Sequence, residues 1–301
     1  MSTKTVACLA GDGVGPELMA AATRALDRVA ALHHLNLDDR HVPFGGEAVT
    51  RSGHPLPPET RAVYRDADAI LVASPDEPAF AGVKADLQLA WRAARVHVGP
   101  SHDLVVVGPV GDWANDTALA RGFAVAASRR GRILCVGDSE DWRRAVAAER
   151  ANWNGLAVET STIADTLALL RDRPEGLDVI VTEAHLVDPI VDSAAVFAGS
   201  RASVAQAWLP DEGPGVFAPG TTEPDDVAGF GVANPMGMLL AASLMLAEGL
   251  KRRAASRTLE RAVGIAAKAN GHADTRSFTD AVIELLPQSR TDVELFDEVW
   301  R

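Results

Sequence analysis

The stretch that decides the fold stands near the start of the chain, where residues 5–17 read TVACLAGDGVGPE. Residues 5–9 are apolar and lead to Gly11, which is typical of a buried strand that stops in a turn. From Pro16 to Ala31 apolar residues recur at helical spacing, and a proline suits the first helical turn because its missing N–H would have no partner there. The stretch is therefore predicted to be a strand, a glycine turn and a helix.

The same alternation continues along the chain. Further apolar runs predict strands at residues 68–74, 103–108, 132–136 and 177–182. Helical patterns follow at residues 119–130, 139–151 and 163–170, and an almost wholly apolar segment at 236–250 predicts a buried helix. Strands that alternate with helices predict an α/β fold with mostly parallel sheets. A length of 301 residues favours about two domains.

The composition excludes several classes of protein. Since 47% of the residues are hydrophobic, the chain can bury a core and disorder is not expected. A net charge of -12 argues against nucleic acid and anionic membranes as partners. No run reaches the ~18 apolar residues of a membrane span, and no signal peptide is recognised, so we expect a cytoplasmic protein. Cys8 and Cys135 lie in apolar runs and are predicted to be buried thiols.

Several blocks of sequence, in the right order, resemble one known family. They are GDGVGPE at 11–17, GG at 45–46, GHPLP at 53–57, DVIVTE at 178–183 followed by Asp188 and Asp192, and DVAGFGVANP at 226–235. The chain is similar in these blocks to the isopropylmalate and isocitrate dehydrogenases, the β-decarboxylating dehydrogenases. The resemblance implies a two-domain α/β subunit with an isopropylmalate dehydrogenase-like fold.

The resemblance also implies an organisation and a chemistry. One domain would comprise residues 1–98 and 216–301, and the other residues 99–215. The family forms homodimers whose active sites combine residues of both subunits. Its members oxidise a small anionic 2-hydroxy acid with a nicotinamide cofactor and Mg²⁺ or Mn²⁺, and most then decarboxylate the product.

The family's metal ligands match two aspartates of this chain. Asp188 and Asp192 are spaced i, i+4, so on a helix their carboxylates share one face. Hard oxygen ligands suit Mg²⁺ or Mn²⁺. The alternative is that Asp188 is a helix N-cap followed by Pro189 at the first helical position. In the family the third metal ligand comes from the partner subunit. Counting along this chain puts Ala164 at that ligand's position, with Asp165 beside it. Asp165 is either the ligand or an exposed helix residue.

The family binds its substrate carboxylates with three arginines, since a guanidinium group forks onto a carboxylate. Arg92 matches the first if the stretch is shortened, and the resemblance places it on a helix; Arg95 is a possible substitute. Glycines stand at the other two places, Gly99 and Gly108. The alternative for Arg92 and Arg95 is ordinary helix-surface charge. The missing arginines predict a substrate that is smaller or less anionic than isopropylmalate or isocitrate.

The family's proton-transfer residues, a tyrosine and a lysine, are missing. The chain has one tyrosine, Tyr64, and four lysines, all outside the middle domain: Lys4, Lys84, Lys251 and Lys268. At the places of the family's tyrosine and lysine, this chain has Gly111-Asp112-Trp113 and Gly137-Asp138-Ser139, respectively. Histidine titrates near neutral pH, which makes His97, His102 and His185 the alternatives. We single out His185, three residues before Asp188, as the catalytic candidate; its alternative is a structural or surface role.

The cofactor residues match only in part. In the block at 226–235, Asp226 and Asn234 match the family residues that hold the adenosine side of the cofactor. An aspartate on the ribose favours NAD over NADP because it repels a 2′-phosphate. The family residues that precede this block align with Thr221, Thr222 and Glu223. The Thr221 hydroxyl is a candidate ligand for a phosphate group of the cofactor. The alternative is that Asp226 and Asn234 only shape a glycine-rich loop.

Three functions follow from these residues. The first is a divergent NAD-dependent oxidoreductase that uses Asp188, Asp192, Arg92 and His185 or a water. The second is a degenerate paralogue that binds a ligand or regulates an active relative. The third is a non-redox lyase that uses the metal alone. The family pattern favours the first.

Overall fold

The computed structural model describes residues 2–74, 77–99, 102–111, 115–220, 225–270, 274–289 and 292. It forms two compact units, Met1–Gln88 with Glu212–Arg301, and Leu89–Asp211. The family pattern placed these boundaries further along the chain, after residues 98 and 215. Within the described ranges, no helix is long and apolar enough to cross a membrane.

The elements alternate along the chain. The strands are β1 (Lys4–Gly11), β2 (Leu37–His41), β3 (Ala69–Ser74), β4 (Trp91–Gly99), β5 (His102–Pro109), β6 (Arg132–Val136), β7 (Ala157–Ser161), β8 (Val179–Thr182), β9 (Val204–Leu209) and β10 (Val216–Pro219). The α-helices are α1 (Gly15–His33), α2 (Gly46–Ser52), α3 (Pro58–Asp66), α4 (Glu77–Asp86), α5 (Asn115–Ala127), α6 (Glu140–Arg150), α7 (Ile163–Asp172), α8 (Ala184–Phe197), α9 (Met236–Leu244), α10 (Arg253–Asn270) and α11 (Thr275–Leu285). A buried π-helical turn, Met245–Gly249, follows α9.

The first unit contains parallel strands in the order β2-β1-β3-β10. The turn after β1 depends on glycine. Gly11 has a φ of +72°, and a Cβ there would lie 1.9 Å from the carbonyl oxygen of Ser74. In the same turn Asp12 accepts the N–H of Gly46 with both carboxylate oxygens, at 2.9 and 2.7 Å. The two glycine motifs of the sequence therefore meet in one contact.

The second unit has the strand order β9-β4-β5-β8-β6-β7, in which β4 runs antiparallel to both neighbours and the others shown paired are parallel. Successive side chains of its central strands point to opposite faces and pack into two separate hydrophobic cores, as expected for a sheet covered on both faces. Val106, Leu134 and Ile180 pack with α7 and α8, while Val107, Cys135 and Val181 pack with α5 and α6. The predicted buried free thiols are confirmed at Cys8 and Cys135.

Two local predictions were wrong. Arg92 and Arg95 lie on β4, and not on a helix, because α4 ends at Asp86 and residues 91–96 pair with both β5 and β9. Pairing on both sides outweighs the helix propensity of the alanines in this segment. Helix α8 begins at Ala184, so Pro189 lies inside the helix and Asp188 is not its N-cap.

A buried ion network holds one edge of the second unit's sheet. The carboxylate of Asp178 is fully buried and lies 2.8 Å from Arg129 Nε and 3.0 Å from Arg130 Nη2. Asp103, at the start of β5, lies 2.6 Å from Arg95 Nε and 3.1 Å from Arg129 Nη2. Burial raises the pKa of Asp103, but the guanidinium groups of Arg95 and Arg129 outweigh burial and hold it well below its usual range.

Candidate functional site

The opposite edge of this sheet collects the polar residues that chemistry would need. Strands β5, β6 and β8 are parallel, so their carboxyl ends meet at one edge, where ligands usually bind in α/β sheets. Val136 and Thr182 are neighbours at the ends of β6 and β8. Since β4 runs antiparallel to β5, its beginning reaches the same edge, where Arg92 lies opposite Gly108.

Two of the predicted site residues meet at this edge. The Arg92 Nη2 atom lies 2.7 Å from Asp188 Oδ1. The Arg92 side chain is only 15% exposed, whereas Asp188 is 70% exposed. Asp192, one turn further along α8, forms an ion pair with Arg201. The structure thus joins a candidate substrate-binding guanidinium group to a candidate metal ligand.

Gly108 explains why the family's third arginine has no counterpart. A Cβ at Gly108 would lie 2.2 Å from the Val187 side chain and 3.2 Å from the carbonyl oxygen of Thr182. Helix α8 therefore packs directly against the end of β5, and a longer side chain would displace it.

Arg95 lies away from this group. It is three residues along β4 from Arg92, roughly 10 Å at strand spacing, and its guanidinium group binds Asp103 at the other edge of the sheet. The structure brings Arg92 and Asp188 together but does not bring Arg95 to them.

A second group at the same edge joins the predicted His185 to two residues, Asp138 and Glu183, that were not predicted as site residues. One ligand atom each from Asp138, Glu183 and His185 lies within 4.8 Å of the others. Glu183 is buried, while Asp138 and His185 are exposed. Asp138 follows the end of β6 by two residues, and Glu183 directly follows β8. Polar residues just after two neighbouring parallel strands were the signal that would have found them.

Asp165 lies near the start of α7 and is exposed. Its backbone N–H donates to the Thr162 hydroxyl oxygen at 3.2 Å, and the Thr162 hydroxyl donates to the Asp165 carboxylate at 2.8 Å. Thr162 is therefore the N-cap of α7, and the Asp165 carboxylate holds the Thr162 hydroxyl in place.

The candidate cofactor loop shows both polar and structural contacts. Thr221 lies outside the described residues, as do Asp112 and Trp113. Asp226 is exposed, and the Asn234 side chain accepts the N–H of Met236 at 3.0 Å, which orients the start of α9. Glu17 lies beside the loop, since its Oε2 would be 3.9 Å from a Cβ at Gly231. Its Oε1 is buried and has no hydrogen-bond partner among the residues that the structure describes.

Tyr64 takes no part in this edge. It lies in the first unit, fully buried, and its hydroxyl donates to Asp86. Burial, together with the hydrogen bond to Asp86, raises its pKa. Lys84 lies in the same unit, 5.0 Å from the centre of the Phe80 ring.

Comparison with known proteins supports the resemblance seen in the sequence. The matching family model is that of isocitrate/isopropylmalate dehydrogenase, over residues 5–93 and 109–282. The 3-isopropylmalate dehydrogenase of Synechococcus sp. (strain CC9605) is 30% identical over 324 residues, which cover 87% of this chain and 90% of the relative. That of Streptococcus thermophilus is 27% identical, over 94% of this chain and all of the relative.

Solved structures confirm the fold. A beta-decarboxylating dehydrogenase from Thermococcus kodakarensis superposes with a TM-score of 0.82 at 23% identity, over 99% of both chains. Isocitrate dehydrogenase from Methylococcus capsulatus gives 0.80 at 18% identity, over 95% of this chain and all of the other. The predicted α/β fold of the isopropylmalate dehydrogenase type is therefore confirmed.

Proposed function

Since the chain belongs to the isocitrate/isopropylmalate dehydrogenase family, we propose that it is an NAD-dependent, metal-assisted oxidoreductase that acts on a small 2-hydroxy acid. The observation that carries this proposal is the Arg92–Asp188 pair at the carboxyl edge of the sheet. A guanidinium group that orients a carboxylate and an aspartate that binds a cation are the two groups needed to hold a 2-hydroxy acid.

The residues on α8 fit Mg²⁺ or Mn²⁺. Asp188 and Asp192 supply hard oxygen ligands one turn apart, and a divalent ion bound there would polarise the forming carbonyl group. Each carboxylate is already paired with an arginine, so the metal must compete with Arg92 and Arg201. We therefore propose weak metal binding unless Asp165 of a second subunit completes the site.

The loop at 225–235 fits the adenosine side of NAD. Glu17 lies beside Gly231 with its Oε2, and its buried Oε1, which has no hydrogen-bond partner among the described residues, is an acceptor suited to a hydroxyl group. Asp226 and Glu17 both oppose a 2′-phosphate, which favours NAD over NADP. Asn234 would act by shaping the loop, and Thr221 is proposed as a phosphate ligand.

Substrate binding and proton transfer fall to few side chains. Arg92 is proposed to orient the substrate carboxylate, with Arg95 the weaker candidate because it binds Asp103. The segment 89–211 contains no tyrosine or lysine. The proton that the substrate hydroxyl loses is therefore proposed to pass to His185 or to a water molecule. The proposal also includes decarboxylation after the oxidation.

We expect calorimetric titration of the protein to detect NAD binding, in the presence or absence of Mg²⁺. Asp226→Ala should weaken NAD binding about tenfold, as expected for the loss of a charge-assisted hydrogen bond of about 1.4 kcal/mol. Asp280→Ala, which changes an aspartate on α11, is the matched control.

A panel of 2-hydroxy acids then tests whether the protein oxidises such a substrate with NAD. Absence of NAD binding under both conditions would refute the oxidoreductase and leave a ligand-binding paralogue or a metal-only lyase.

A homodimer is also expected, because the proposed metal site takes Asp165 from a second subunit. Val196 and Phe197 at the end of α8 are 68% and 44% exposed, which supports a subunit contact there. Light scattering should give about twice the chain mass of 31.7 kDa. A monomer would count strongly against catalysis by this site.

A further inference from the structure

We propose that Asp138, Glu183 and His185 bind a divalent first-row transition-metal ion such as Zn²⁺. This site is distinct from the proposed Mg²⁺ or Mn²⁺ ligands Asp188 and Asp192. The inference does not depend on the proposed activity, because it concerns metal binding by residues that follow β6 and β8 in the second unit.

The geometry is close to that of a metal site. The three ligand atoms lie within 4.8 Å of one another, and ligands bound tetrahedrally to Zn²⁺ at ~2.1 Å lie about 3.4 Å apart. Asp138 and His185 are exposed and free to rotate by the remaining ångström, while Glu183 is buried. One fixed ligand and two adjustable ones can close on an ion without moving the backbone.

Glu183 is held in place by its neighbours. Its Oε2 accepts the N–H of Asp138 at 3.1 Å, and its Oε1 accepts the Ser139 hydroxyl at 2.5 Å. The Ser139 oxygen in turn accepts the N–H of Trp142, at 3.1 Å, so its own hydrogen is directed to Glu183. Hydrogen bonds of this kind orient metal-binding carboxylates in known sites.

Trp142 supplies an independent observation that points to a ligand. It is 2% exposed, and its buried Nε1–H has no hydrogen-bond partner in the part of the chain that the structure describes. A Cβ at Gly137 would lie 2.7 Å from this Nε1 and 2.6 Å from Glu183 Oε2, so both atoms face the same small space beside Asp138. A buried donor without an acceptor is unfavourable, because it has lost its hydrogen bond to water. A water or anion that completes the coordination of a bound metal would accept this hydrogen.

The donor set selects the class of metal. Two carboxylates and an imidazole suit Zn²⁺ and its first-row neighbours, whereas Mg²⁺ prefers oxygen ligands alone. Three protein ligands leave a coordination position open, as in catalytic rather than structural zinc sites. His185 cannot accept a proton while it binds a metal, so a metal-bound water would take that role.

The test is calorimetric titration of the full chain with Zn²⁺, with Mg²⁺ as a comparison. We expect one zinc site in the wild-type protein and at least a tenfold loss of affinity in His185→Ala and in Asp138→Asn. Both residues are exposed, so these variants should fold. Asp141→Asn, an exposed acid on the adjoining helix α6, is the matched control and should bind like the wild type.

A second measurement follows the Trp142 indole N–H by nitrogen-15 NMR, with its signal assigned by Trp142→Phe. Zinc should shift this signal in the wild type and not in His185→Ala. Equal zinc affinity in the wild type and His185→Ala would overturn the proposal. Zinc binding that is lost in Asp188→Asn but kept in His185→Ala would also overturn it, and would place the ion on the other ligands of α8.

Discussion

Asp178→Ala is expected to lower the free energy of unfolding by about 3–5 kcal/mol, the usual cost of breaking a buried ion pair from one side. The Asp178 carboxylate is fully buried and contacts both Arg129 and Arg130. It also accepts the backbone N–H of Arg130 at 3.0 Å. Its removal would leave two guanidinium groups, 19% and 35% exposed, without this counter-charge.

Urea unfolding followed by circular dichroism measures this change. Asp172→Ala is the matched control, since Asp172 forms an exposed ion pair with Arg171, and water and salt screen such pairs so that they add little to stability. A loss below about 1 kcal/mol for Asp178→Ala would show that the arginines find other partners or water. Because Asp178 is buried directly before β8, we expect the loss of about 3–5 kcal/mol in unfolding free energy.

Asp188→Asn is expected to abolish metal-dependent turnover of whichever 2-hydroxy acid the panel identifies. The amide keeps the size of the side chain but removes the negative charge that a divalent cation requires. Lewis-acid stabilisation is worth several kcal/mol, so kcat/KM should fall by more than about 100-fold. Folding should be little affected, because Asp188 is 70% exposed.

Thermal unfolding with and without Mg²⁺ measures metal binding by the protein and does not require a substrate. Metal binding to the folded chain alone raises the melting temperature of the wild type, and Asp188→Asn should lose this rise. Asp211→Asn is the control, since Asp211 is also exposed and paired with an arginine, Arg121. Full activity in Asp188→Asn would refute the metal assignment.

The α/β class could be predicted because its signals are local. Apolar runs of strand length followed by helical periodicity identified β1, β3, β5, β6 and β8 together with most of the helices after them. The polar and mixed strands were missed: β2 and β7 carry too few apolar residues to be recognised. Strand β4 was also misjudged, because its arginines and alanines become a strand only through pairing with β5 and β9.

The site was only partly predictable. Asp188 and Arg92 were named from the family pattern, and the structure joins them. Arg95 was named only as a substitute for Arg92, and its position along β4 takes it to Asp103. Asp138 and Glu183 are 45 residues apart along the chain. Their proximity results from the parallel register of β6 and β8.

The sequence by itself determined the family, the α/β alternation, the buried thiols and the absence of tyrosine and lysine from residues 89–211. These features reside in residue identity and short-range periodicity, which require no knowledge of distant contacts. Only the tertiary structure decided which charges meet. Strand order and register place side chains from distant segments within a few ångströms, and electrostatic contacts depend on those distances. That is why Arg92 meets Asp188, Arg95 meets Asp103, and Asp138, Glu183 and His185 form one group.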